Sequence, residues 1–253
     1  MEKQSVKPAS KMGTGIEGLD SLLSGGLPAK RTILVVGGPG SGKTILCTQF
    51  LKDGIEKSNQ NCIYVSLDYS KKAFMSDMMQ FGWDFAAFEK NGSFLFLEGA
   101  AIRRLPQKAS TNEGSYEPED FTLEDLIDLL ALHIKKINAK RIIIDDLTAL
   151  TFRFPDPMER RGAILSLMES LVELEVTTIM ISEAALYDMN REIKPEEYLS
   201  DGVIGMFVLK DGTRAIQISK MRGVQVDNKP HPYSIVDKVG IEVFPTETIF
   251  GEN

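Results

Sequence analysis

Eight consecutive residues, Gly37-Gly38-Pro39-Gly40-Ser41-Gly42-Lys43-Thr44, fit the spacing G-x-x-x-x-G-K-[S/T]. A loop of this kind holds phosphate mainly with its backbone. Its glycines let the chain wrap so that successive N–H groups point at one anion. The start of the following helix adds about half a positive charge at the same point. On this spacing Lys43 reaches the β- and γ-phosphates of a nucleotide, and the Thr44 hydroxyl binds Mg²⁺. The expected nucleotide-binding stretch is Gly38, Pro39, Gly40, Ser41, Gly42, Lys43, Thr44 and Ile45. A glycine-rich turn could carry the same letters without the chemistry. Here an apolar run, Thr32 to Val36, reads as a buried strand before the loop, and Ile45 to Leu51 reads as a helix after it. That is the context the chemistry requires.

A phosphate loop needs a partner carboxylate. Asp145 ends the run Arg141-Ile142-Ile143-Ile144. Mg²⁺ takes few protein oxygens and keeps its waters, so Asp145 is expected to hold the metal through water while Thr44 binds it directly. Asp146 is the lesser candidate. Hydrolysis also needs a group that orients water. Asp68 follows a second strand-like run, Cys62 to Leu67, and the ends of parallel strands converge on one crevice. Ser182 and Glu183, after Thr178 to Ile181, are candidates for contact with the γ-phosphate. Lys220 and Arg222 fall on one face of a strand by alternation. Two cations there suit an anionic phosphate, on the same chain or on a neighbour. A solvated edge strand guarded by lysine is the plainer alternative.

The elements that position these residues follow in order. Residues 1–12 are polar and expected to fray. Helical stretches are expected near Ile16 to Leu23, over Lys71 to Phe81, along the apolar stripe Leu123, Leu126, Ile127, Leu130, Ile134 and Ile137, and from Glu159 to Glu173. Phe94 to Leu97 is a further short strand. Arg103 to Asp120 is irregular and reads as a mobile surface loop. Near the end, Val203 to Leu209 and Ala215 to Ser219 flank Lys210-Asp211-Gly212-Thr213, a hairpin signal. Ile241 to Phe244 closes the set. Strands alternating with helices, then an antiparallel end, predict an α/β fold: a mostly parallel central sheet with helices on both faces and a C-terminal antiparallel hairpin. With no linker and no repeat, residues 1–253 read as one domain.

Composition narrows the partners. The 253 residues carry a net charge of -7 and a pI near 5.1. An acidic surface binds nucleic acid or anionic membrane only through a local basic patch. Two cysteines, Cys47 and Cys62, read as small core residues in a reduced compartment, and only His133 and His231 could join them on a metal. The N-terminus lacks a signal-peptide core, and no apolar run approaches 18 residues. The expected location is the cytoplasm.

The whole resembles a known family. Gly15-Ile16-Glu17-Gly18-Leu19-Asp20, Gly25-Gly26-Leu27-Pro28, the phosphate loop, Ile142 to Asp145, Glu197 to Val203, Lys220 to Gly223 and Gly240 to Pro245 stand in the order seen in KaiC-like ATPases of the RecA superfamily. The clock protein carries two such domains. This chain has one and resembles the single-domain archaeal homologues, so no circadian role is implied. The resemblance implies a RecA-like P-loop fold, ATP and Mg²⁺ as ligands, and a ring of identical subunits, usually a hexamer, with ATP between them. It implies that Lys220 and Arg222 reach the γ-phosphate on the neighbouring subunit and that His231 and Asp237 contact the nucleoside. One departure matters. The family has paired glutamates where this chain has Asp68-Tyr69, so hydrolysis is expected to be slow, or the protein mainly binds ATP as a scaffold. A recombinase-like role on DNA is the other alternative. The stretch Ala184 to Ser200 disfavours it, with Asp188, Glu192, Glu196 and Glu197 set against Arg191 and Lys194, although Arg153, Arg160 and Arg161 could partly compensate.

Overall fold

A computed structural model describes residues 10–99, 122–148, 154, 156–184 and 193–249. The expected loop 103–120 lies outside them, as do Arg153, Asp188, Arg191 and Glu192. In chain order the elements are β1 (Lys11–Met12), α1 (Glu17–Leu22), β2 (Leu27–Pro28), β3 (Thr32–Gly37), α2 (Lys43–Ser58), β4 (Asn61–Ser66), α3 (Lys71–Gln80), α4 (Phe85–Lys90) and β5 (Phe94–Glu98). Then come α5 (Leu123–Ile137), β6 (Ala139–Asp145), α6 (Pro157–Glu173), β7 (Thr177–Glu183), α7 (Pro195–Leu199), β8 (Gly202–Val208), β9 (Arg214–Met221), β10 (His231–Val236) and β11 (Gly240–Val243). Lys11 and Met12 pair antiparallel with β2, so order begins within the stretch expected to fray.

Nine strands form one sheet in the order β11-β10-β9-β8-β3-β7-β6-β4-β5. From β5 to β8 every pairing is parallel. From β8 to β11 every pairing is antiparallel. The antiparallel flank is therefore larger than the single hairpin the sequence predicts.

Strand alternation divides the core between the two faces of the sheet. Ile33, Val35, Cys62, Tyr64, Ile143, Ile179 and Ile181 pack against α1 to α4. Leu34, Val36, Ile63, Val65, Ile142, Ile144 and Met180 pack against α5 and α6. Strands buried on both sides read as unbroken apolar runs for this reason. The helix starts are fixed locally. Ser70 accepts from Ala73 N at α3, Thr122 and Asp125 form a capping box at α5, and Asp156 caps α6 ahead of Pro157. Trp83 packs beside Phe81 at the end of α3, and both cysteines are free and buried. Among the described residues no helix is long and apolar enough to cross a membrane.

A buried arginine ties β6 to α2. Arg141 is 1% exposed and donates to Gln60 Oε1, to the carbonyls of Gly13 and Phe50, and to Asp53 at 3.4 Å. Its guanidinium stands 4.4 Å from the centre of the Phe50 ring. The space comes from Gly54, where a Cβ would lie 2.4 Å from Arg141 Nε.

Candidate functional site

The loop from Gly37 to Gly42 leaves the end of β3 and feeds α2 at Lys43. Its path needs glycine at defined points. Gly42 has φ of 91°. A Cβ on Gly37 would sit 2.4 Å from the Met206 carbonyl oxygen and 2.7 Å from Ser41 Oγ. Lys43 Nζ turns back onto its own loop, donating to the carbonyls of Gly37 at 2.9 Å and Gly38 at 3.0 Å. Burial lowers the Lys43 pKa, and Glu183, Asp146 and Asp145 oppose that shift. The ammonium thus waits inside a loop of carbonyls and beside three carboxylates, where a phosphate could replace its acceptors.

Alternation decides which strand-end side chains face this loop. Ile143 and Ile181 lie on the α2 face; two residues on, Asp145 and Glu183 share it. Asp145 accepts from the Tyr64 hydroxyl, and Tyr64 is itself on that face and fully buried. Burial raises the Asp145 pKa, the Tyr64 bond works against it, and Asp146, Lys43 and Asp68 act as further neighbours. Asp146 accepts from Thr148 N at 2.6 Å, and burial raises its pKa too. Thr44, Ile45, Tyr69, Asp77, Phe81 and Asp145 help line a cleft of about 590 Å³ between the start of α2 and α3. Among the described residues no group of three His, Cys, Asp or Glu could hold a metal alone. A cation between Thr44 and Asp145 would draw its remaining ligands from phosphate and water, which suits Mg²⁺.

Two sequence candidates change here. Ser182 is buried on the opposite face and donates to Glu196 Oε1 at 3.2 Å, so it is turned away from the loop. Glu183, paired across the ladder with Gly37, is the residue presented to it. Tyr69 directs its hydroxyl to Asp77, while Asp68 beside it is exposed just past β4.

Lys220 and Arg222 lie at the other end of the sheet. Gly37 pairs with Met206 and Ile33 with Gly202, while Met221 pairs with Gly202. The cations therefore sit level with the beginning of β3, about 13 Å along the strands from its end. Action on this chain's own phosphate loop is ruled out by that register. Lys220 Nζ donates to the carbonyls of Glu197, Tyr198 and Ser200 at 3.0, 3.0 and 2.6 Å. Arg222 reaches the Tyr198 carbonyl at 3.3 Å and Asp201 at 3.5 Å. Asp201 also holds Arg31 at 3.1 Å and accepts from Thr32 N at 3.3 Å. The Glu197 to Val203 signature is thus the seat of these two cations.

His231 is not presented to any ligand. It is 1% exposed, and its Nδ1 is 2.6 Å from the Glu247 carbonyl. Asp237 is exposed in the turn between β10 and β11. Two residues missed by sequence reasoning reach the loop from the antiparallel flank. Arg214 donates to the Gly40 carbonyl at 2.7 Å, and the Tyr233 hydroxyl donates to the Ser41 carbonyl at 2.5 Å. Arg214 stands at the hairpin end of β9, where the sequence shows only a polar turn.

Comparison with known proteins agrees with this architecture. The family model described as ATPase: KaiC matches residues 12–248. A UPF0273 protein of Pyrococcus horikoshii is 34% identical over 245 residues, covering 94% of this chain and 96% of its own. The circadian clock protein KaiC3 of Synechocystis is 32% identical over 98% of this chain, which spans 48% of that protein. The crystal structure of a KaiC-like protein from Pyrococcus horikoshii superposes with a TM-score of 0.78 at 29% identity, covering 94% of this chain and all of the other. The chain belongs to the KaiC family of ATPases, a P-loop nucleotide-binding protein on a RecA-like α/β sheet.

Proposed function

We propose that the protein binds Mg·ATP on residues 38–45 and hydrolyses it slowly, in a cytoplasmic ring of identical subunits with a regulatory or remodelling role. One observation carries the reading. The phosphate loop and Asp145 face one crevice, whereas the two cations suited to a γ-phosphate lie at the far end of β9. A head-to-tail ring, a hexamer by family resemblance, brings one subunit's loop against its neighbour's Lys220 and Arg222.

In this reading Lys43 releases the Gly37 and Gly38 carbonyls and takes the β- and γ-phosphates. Thr44 and Asp145 hold Mg²⁺, which when bound screens the phosphate charge. Tyr64 fixes the Asp145 carboxylate and keeps one oxygen directed. Asp68 orients the attacking water, with a second water restoring the methylene it lacks relative to glutamate. The neighbouring subunit's Arg222 meets charge developing on the transferred phosphoryl group. Asp237 is kept as a nucleoside contact; His231 and Ser182 are not, because their side chains are buried and engaged elsewhere.

The Tyr69–Asp77 bond favours a second reading, an ATP-dependent scaffold without turnover, since the second family carboxylate is replaced by a phenol already in use. Titration calorimetry with Mg·ATP, on wild type and Lys43→Ala, tests binding: heat is expected only from wild type. Steady-state phosphate release separates the two readings. No heat from well-folded wild type overturns both.

A further inference from the structure

We infer that Arg214 and Tyr233 are positioning residues that hold the phosphate loop in its anion-binding shape before nucleotide arrives. The inference deepens the nucleotide-binding reading and rests on it.

The argument starts from peptide geometry. In a trans peptide the carbonyl and the N–H point in opposite directions. The Ser41 carbonyl and the Gly42 N–H belong to one such unit. Tyr233 donates to that carbonyl at 2.5 Å, so it turns the Gly42 N–H away from β10, where an anion can take it. The Gly40 carbonyl and the Ser41 N–H form the preceding unit. Arg214 donates to that carbonyl at 2.7 Å and sets its orientation in the same manner. Ser41 N then lies 3.3 Å from the Gly38 carbonyl, and Ser41 Oγ donates to the same oxygen at 2.9 Å. Two successive peptides of a glycine-rich turn are therefore gripped by their carbonyls from outside the turn.

The grip is anchored. Tyr233 is 3% exposed, and burial pushes its phenol pKa up while the nearby Arg214 guanidinium favours the ionised form. The hairpin of β10 and β11 is fastened to the helix that the loop feeds: Gln49 of α2 accepts from Ile241 N at 2.8 Å and donates to the Ile241 carbonyl at 3.3 Å. Ile235 and Ile241 close over Gly42, where a Cβ would sit 2.9 Å from Ile235 Cδ1. On the ladder, Val208 pairs with Arg214 and Met206 with Gly37. Arg214 thus projects two residues beyond the strand end from which the loop hangs. Ordering a loop on binding costs affinity, and a loop ordered beforehand avoids that cost. Glycine makes the cost large here, because it loses more freedom than any other residue.

The test uses the full-length protein with Tyr233→Phe and Arg214→Met made separately. Two probes are titrated by calorimetry, Mg·ATP and inorganic tripolyphosphate, and KM, kcat and nucleotide-free melting are measured alongside. Loss of one such hydrogen bond is expected to raise Kd by about 5- to 10-fold. The rise is expected to be equal for both probes, with KM following Kd and kcat falling less. Unchanged Kd for both variants overturns the inference, even if melting falls, since that is a purely architectural role. A loss for Mg·ATP with tripolyphosphate unaffected also overturns it, because it assigns these residues to the nucleoside. Lys43→Ala keeps the two layers apart. If it binds both probes like wild type, the nucleotide reading itself fails; if it is dead while Tyr233→Phe and Arg214→Met bind normally, only the grip fails.

Discussion

The shared site makes a quantitative prediction. Two strand spacings separate β3 from β9, about 10 Å, and Lys220 and Arg222 lie a further 13 Å or so down the ladder from the loop. An arginine side chain cannot cover that combined distance. In a head-to-tail ring each site then takes its loop from one subunit and its cations from the next. Lys43→Ala destroys the loop but leaves Arg222; Arg222→Ala does the reverse. When the two variants are co-expressed in equal amounts and assemble at random, a site is intact only where an Arg222→Ala loop faces a Lys43→Ala neighbour. That ordered pair occurs at about one interface in four, whatever the ring size. An arginine acting in trans is worth about 10³–10⁵ in rate. Each variant alone should therefore sit at or below about a thousandth of wild-type phosphate release, and the mixture at about a quarter, a gain of at least about two hundred-fold. Phosphate release on rings purified with two different tags reads this directly. Full activity from Arg222→Ala alone, or no recovery in verified mixed rings, would refute the reasoning.

Three more outcomes follow. Lys43→Met should raise the melting temperature of the nucleotide-free protein. Burial holds the Lys43 pKa below its ordinary 10.5, so between the folded value and 10.5 the unfolded chain binds more protons; wild-type stability should therefore climb with pH across that window, and the variant should lack the climb. Gly54→Ala should lower stability by about 2–4 kcal/mol in urea unfolding, because displacing the buried Arg141 from its four acceptors outweighs the roughly 1 kcal/mol that alanine adds to a helix. Glu183→Gln should lower kcat several-fold with little change in KM, whereas Ser182→Ala should leave the kinetic constants close to wild type and report only in melting.

The phosphate loop and Asp145 were legible because each is a short contiguous signal joined to a strong apolar run. Ser182 and Glu183 both stand as candidates in the sequence, and strand alternation separates them. Ile179 and Ile181 share the α2 face with Ile143, so counting by twos from either strand puts Glu183 with Asp145. β10 was hidden by Pro230 and Pro232, which read as loop. The strand tolerates Pro232 because it lies near the start, where only His231 and Pro232 pair with β9 and the β11 ladder begins at Tyr233. His231, which the resemblance places at the nucleoside, is a core residue of its own chain. α7 has five residues, too few for a helical period to register. Tyr64 reads as an aromatic in a strand, and nothing in Cys62 to Leu67 announces that its hydroxyl ends on Asp145.

The remaining contacts that the sequence does not show share a physical cause. Lys220 rests on the carbonyls of Glu197, Tyr198 and Ser200; Arg214 rests on that of Gly40; Tyr233 rests on that of Ser41. Sequence reading finds partners by matching side chains, an acid to a base or a donor to an acceptor. A backbone carbonyl is the same group at every position, so a cation or phenol that binds one has no counterpart to be matched with. Only the ladder tells which carbonyl comes within reach, and the ladder here depends on three antiparallel registers between residues 202 and 243, far along the chain from the phosphate loop. Positive side chains without an acidic partner in a P-loop protein are therefore worth tracing to main-chain oxygens before they are dismissed as solvated. In this molecule that search leads from one strand, β9, to the tip of the phosphate loop at one end and to the seat of the trans cations at the other.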